Sequence, residues 1–147
     1  MKNAIVLICA ALALSSCRGE TGRAKQLWPW QVESVKVKAE SGDGAAQYTL
    51  YEHFLASGDQ DNAGHWFDKC IASQEPICLY EEAGAQYLGA AMNDFGSKER
   101  LEGLQIAEDT LNRAADHLKP TDILSRGDIR KFRDDILRAR TDKNFKP

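Results

Sequence analysis

The side chains best equipped for chemistry in this 147-residue sequence are four cysteines, three histidines and a few clustered acids. His53 and His65 share no ligand spacing, so a surface role is expected of both. Asp59-x-Asp61-x-Ala63-Gly64 begins like a calcium-binding loop. It fails at the fifth position, where Ala63 offers no oxygen, and at the twelfth, where Cys70 replaces a bidentate glutamate. A capped turn is expected instead, with no metal and no cofactor. Glu81-Glu82 has the residue type of an acid–base pair. Adjacent residues on a helix point in different directions, so a solvated face is expected there. No G-x-S-x-G, H-E-x-x-H or phosphate-loop motif occurs. These residues form no catalytic constellation, and the chain is not expected to be an enzyme.

Apolar residues make up 43% and charged residues 28% of the chain, a balance that excludes wholesale disorder and collagen-like repeats. The net charge of −3 argues against a nucleic-acid binder. Arg126, Arg130, Lys131, Arg133, Arg138 and Arg140 are interleaved with Asp128, Asp134 and Asp135, the pattern of a salt-bridged helix face.

Helical periodicity dominates the elements that must carry these residues. Helices are expected over Gln31–Ser41, Ala45–Ser57, Asn62–Ala72, Ile77–Asp94, Ser97 to about Leu118, and Asp128–Arg140. Val35-Lys36-Val37 also fits a short strand. Gly42 ends one helix and Asp43 caps the next. The long fifth helix shows an apolar stripe of Leu101, Leu104, Ala107, Leu111, Ala114 and Leu118. The last shows Ile129, Phe132, Ile136 and Leu137. The expected fold is all-α, a short antiparallel array of helical hairpins (an α/α solenoid) with five to six helices.

The N-terminus reads as an address. Lys2 precedes an unbroken apolar run of 11 residues, Ala4 to Leu14. A membrane-spanning helix needs about 20, whereas the apolar core of a secretory signal takes roughly 7–15. Leu14-Ser15-Ser16-Cys17 resembles the lipobox of bacterial lipoproteins. That resemblance implies a signal peptide over 1–16, acylation of Cys17, a lipidated tether over 17–29 and a folded domain over 30–147. Arg18 stands where an aspartate would favour inner-membrane retention, so the resemblance implies an outer-membrane lipid anchor facing the periplasm. Ordinary cleavage, leaving a soluble protein, is the alternative. Trp28 and Trp30 suit either a lipid interface or the start of the first helix.

The sequence also repeats itself. Ala46-Gln47-Tyr48 recurs as Ala85-Gln86-Tyr87, and Ala63-x-x-Trp66-x-x-Lys69-Cys70 as Ala107-x-x-Thr110-x-x-Arg113-Ala114. With Gly42-Asp43, Ala45, Gln47 and Leu50, the first unit resembles the Sel1-like repeats, relatives of the tetratricopeptide family. Tyr51 departs from that pattern, and the second unit is degenerate. The resemblance covers about residues 32–118, with the flanking helices as end caps. A cysteine-rich branch of this family pairs cysteines at the spacing of Cys70 and Cys78. That resemblance and an oxidising compartment imply a disulfide between them. The alternative is that Cys70 fills an alanine position and both thiols are buried.

Such arrays bind proteins. Among small lipoproteins of this kind, the resemblance implies an immunity protein that neutralises a secreted antibacterial toxin, such as a type VI secretion effector, possibly a phospholipase. The alternative is a non-catalytic assembly or regulatory cofactor for cell-wall or outer-membrane machinery. A small-molecule site between the repeats, for cell-wall fragments, is a third reading. Tyr51, Glu52, His53, His65 and Asp68 are the expected partner contacts, chosen because they fall outside the expected core stripes.

Overall fold

The start signals in the sequence become helix caps. Asp43 Oδ1 accepts the Ala46 N–H at 3.0 Å, Asp59 Oδ1 accepts that of Asn62 at 3.1 Å, and Ser97 Oγ accepts that of Arg100 at 3.2 Å. Ser125 and Asp128 cap each other reciprocally. The computed structural model of the chain describes residues 26–145. Six helices follow in order: α1 (Pro29–Glu40), α2 (Gly44–Ser57), α3 (Gln60–Ala72), α4 (Pro76–Ala91), α5 (Lys98–His117) and α6 (Arg126–Thr141). The described residues contain no strand, and Val35–Val37 is helical. The expected signal peptide and Cys17 lie outside the described residues. No helix among the described residues is long and apolar enough to cross a membrane.

Packing follows side-chain size. α4 and α5 approach most closely, α2 and α3 next, giving two helical hairpins; α1 lies on α2 and α6 on α5. The α4–α5 approach depends on Gly103, where an added Cβ would come within 2.7 Å of Ala90 Cβ and 3.4 Å of Ala90 Cα. Gly89, also on α4, has nothing within 4 Å of such a Cβ. Gly103→Leu should therefore destabilise the fold by about 2 kcal/mol through overpacking. Gly89→Ala should stabilise it by roughly 0.5–1 kcal/mol through helix propensity. Urea melts of the two variants check the contrast; similar effects would mean that the hairpin tolerates separation.

Between the hairpins the backbones stay further apart, and α3 meets α4 only sparsely. Long side chains fill that space. Tyr48 Oη donates across it to Glu81 Oε1 at 2.8 Å, while within the first hairpin the rings of Tyr51 and Phe67 lie 4.7 Å apart, tilted by 38°. Cys70 and Cys78 are both fully buried, at disulfide bonding distance with Cα atoms 6.0 Å apart. The turn they span holds Gln74 at φ 61°, an unfavourable angle for a side chain with a Cβ. Arg113 braces it, its Nη2 donating to Gln74 Oε1 at 3.0 Å.

Several residues sit elsewhere than their pattern suggests. Leu101 is 44% exposed and Leu137 57%, so neither belongs to the core. Arg100 and Thr110 are buried on α5, and Ala139 on α6. The reason is the close approach of the helices: a narrow α5 seam takes Ala107, Leu111 and Ala114, and rotates Leu101 outward. The α6 face is less ion-paired than its charges suggest. Arg138 reaches Asp135 at 3.8 Å within the helix. Arg140 instead meets Glu108 of α5 at 2.7 Å, and Arg133 donates to Asn112 at 2.7 Å. Glu81 and Glu82 are half-buried rather than a solvated face. Glu81 serves as the acceptor that joins α4 to α2.

Candidate functional site

α1 and α2 expose one face each to a shared groove. On α1 the face is Trp30, Gln31, Ser34 and Val35; on α2 it is Ala45, Tyr48, Thr49 and Glu52. Both sets follow the three-and-four spacing of a helix face. Glu75 and Ile77, at the start of α4, and Thr121 to Leu124, in the α5–α6 connection, complete the lining. The groove has a volume of about 590 Å³, within the range of ligand and peptide sites. Its end is fixed by Leu27, which is buried and donates its N–H to His53 Nδ1 at 3.1 Å. Leu27 and Trp28 fall in the stretch expected to be tether; Leu27 packs with the domain and Trp28 occupies the N-cap of α1.

The connection is shaped by Asp122, whose Oδ2 accepts the Lys119 N–H at 2.7 Å. This turn buries Leu124 and leaves Ile123 87% exposed, while Trp30 on α1 is 72% exposed. Glu75 is half-buried. Loss of solvent, reinforced by the neighbouring charge of Asp122, holds its carboxyl above the usual range, with Lys119 opposing the shift. The polar hydroxyls of the lining satisfy themselves locally: Thr49 Oγ1 donates to Ala45 O and Ser34 Oγ to Gln31 O.

The five expected contacts are not one patch. Glu52 lines the groove and His53 lies behind it, accepting from Leu27. His65 lines a second depression of about 370 Å³ between α1, α2 and α3, and Asp68 is exposed on α3. Tyr51 is a correction: it is 7% exposed, packed between Tyr48 and Phe67. Its hydroxyl also meets Glu81 of α4, so the large ring sits where the first hairpin faces the second, at a position where the repeat pattern has a small residue. Sequence reasoning missed Trp30, Glu75, Asp122 and Ile123 as site residues. They come together only because the connection after α5 folds back onto α1 and α2, and no local pattern signals that return. Trp30 alone carried a usable signal, as a large aromatic on the polar first turn of a helix.

Asp59 is a capping residue, as its position implies. Asn62 donates to it from both side chain and backbone, which holds its pKa below the usual carboxylate range. No group of three histidine, cysteine or acidic side chains suited to a metal ion occurs among the described residues. Tyr51 and Tyr87 show what burial does to titration here. Desolvation is the first cause in both, and it pushes Tyr87 up to about 12 and Tyr51 higher still. A tyrosine with a raised folded-state value stabilises the fold fully below its unfolded value of about 10. That contribution is lost as pH rises through the folded value. In an ultraviolet titration, ionisation of these two rings should lag that of the urea-unfolded chain, and stability should fall above about pH 10. Superimposable titrations would contradict their burial.

No family model, curated protein or solved structure matches this chain. What defines the molecule is therefore its own geometry: an all-α array of helical hairpins with a groove that has an apolar floor and an acidic lining.

Proposed function

We propose that this chain is a non-catalytic protein-binding module, held at the outer membrane by a lipid on Cys17, whose role is immunity against a secreted antibacterial toxin. The observation that carries the binding reading is the groove, where two large apolar side chains, Trp30 and Ile123, stay exposed beside acidic groups. Exposed aromatic and aliphatic side chains beside a polar rim are the composition of a protein interface. The absence of any catalytic motif in the sequence, the lipobox-like Leu14–Cys17 and the Sel1-like residues of the first hairpin support the rest.

Two experiments test it. The gene is deleted alone and together with its genomic neighbour. Self-intoxication on single deletion, absent from the double deletion, is the expected outcome; normal growth of the single deletion removes the immunity role. Cys17→Ala should release the protein from the membrane fraction, and unchanged fractionation removes the lipid anchor.

A further inference from the structure

We propose that the groove between α1, α2 and the 119–125 connection seats a segment of a partner protein that sets a lysine or arginine beside apolar side chains. The proposal rests on the protein-binding reading above and adds the chemistry of the bound segment.

Charge is the first argument. Glu52, Glu75 and Asp122 all line the groove, and no lysine, arginine or histidine does. Neither Glu52 nor Glu75 forms an ion pair with a described residue. Lys119 acts on Glu75 from outside the lining. Asp43 adds a further negative charge near Glu75. The groove thus concentrates negative charge that Lys119, outside the lining, opposes only in part. A bound cation would offset the burial and repulsion that hold the Glu75 carboxyl above its usual range.

The floor is the second argument. Leu27, Val35, Ile77 and Leu124 are apolar, and Trp30 and Ile123 extend that surface into solvent. A purely polar cation would leave this surface wet. A purely apolar segment would cover carboxylates without pairing them, at a large desolvation cost. A segment carrying both kinds of side chain satisfies both.

The second depression makes the contrast. Its lining sets Glu33 and Glu40 against Lys36 and Lys69, so its formal charges sum to zero. Lys36 lies 4.0 Å from Glu40, and the Lys69 ammonium sits 5.0 Å from the Trp66 ring centroid. It offers no net sign to a partner.

The test uses the full chain in detergent and three short labelled peptides read by fluorescence anisotropy: alternating Lys and Leu, alternating Glu and Leu, and alternating Lys and Ser. The Lys–Leu peptide should bind about tenfold or more tightly than either control. Glu52→Lys with Glu75→Lys should weaken it about tenfold or more and shift preference toward the Glu–Leu peptide. A reversed preference cannot arise from unfolding, and Glu52→Gln with Glu75→Gln should give an intermediate loss. Equal binding of the three peptides, or indifference to the charge reversal, overturns the proposal. So does self-association in sedimentation equilibrium that Ile123→Asp abolishes, since a second copy would then fill the groove. Failure here with self-intoxication intact removes the groove chemistry alone. Selective peptide binding without self-intoxication removes the immunity role alone.

Discussion

Arg100→Met is expected to cost about 3 kcal/mol of stability and to lower the melting temperature by about 10 °C. Arg100 is 7% exposed, and no carboxylate among the described residues pairs with it. Its guanidinium instead collects the carbonyl ends of two helices. Nη2 and Nε donate to Ala139 O of α6 at 2.9 and 3.3 Å. Nη1 donates to Ala91 O and Asn93 O at the end of α4, at 3.1 and 3.2 Å. Those helix ends carry partial negative charge, which compensates a buried cation without an anion. The Phe95 ring, with its centroid 5.5 Å from the guanidinium carbon, covers it further.

Methionine preserves much of the stem but withdraws every donor. Three carbonyls then lose a charged partner, at about 1–3 kcal/mol for each one left buried and unsatisfied. Relief from burying a charge offsets part of that sum. Arg100→Lys should recover only a fraction, because a single ammonium cannot fork between two helix ends. Thermal and urea melts followed by circular dichroism measure both variants. A loss below about 0.5 kcal/mol for Arg100→Met would show that water already serves these carbonyls.

The double replacement Cys70→Ala with Cys78→Ala should cost about 2–3 kcal/mol, and reduction of the native chain should cost a similar amount. The loop that the bond would close is short, with a sequence separation of 8, so its effect on unfolded-chain entropy is modest. Its position adds to it. The cysteines join α3 to α4, where backbone contact between the hairpins is sparse and Gln74 holds a positive φ. Without the link, Tyr48–Glu81 and Arg113–Gln74 must hold the two hairpins in register. Both sulfurs are fully buried, so truncation also leaves space that the core must close. Melts with and without a thiol reductant decide the matter. An unchanged midpoint on reduction would mean that the cysteines serve only as small core residues.

Much of the fold is legible in the sequence because its signals are local. Asp43, Asp59 and Ser97 mark helix starts through their own backbone neighbours, and Gly42 and Gly58 mark ends through positive φ, whereas the Ser125 cap sets the start of α6 two residues before the expected Asp128. Expected and observed helix limits differ by at most three residues, and the ends at Ser57 and Ala72 coincide. Tertiary choices were not legible. The stripe that includes Leu101 gives no sign that its neighbour Arg100 is the residue buried. Which of them turns inward depends on the carbonyl ends of α4 and α6, which are remote in sequence. Tyr51 was assigned to the surface for a related reason: the distance between hairpins is not written in either hairpin alone. The groove is the least legible feature. It needs Leu27, Glu75 and Ile123 brought together from three separate stretches by a turn at Asp122.

We propose that this chain protects its own cell by binding a partner through that groove. Competitive growth of the deletion strain against its parent measures this directly, with the strain complemented by the native gene or by the Glu52→Lys, Glu75→Lys form. The deletion strain should be eliminated beside its parent, the native gene should restore survival, and the charge-reversed form should not. Equal survival of the uncomplemented deletion strain would contradict the account.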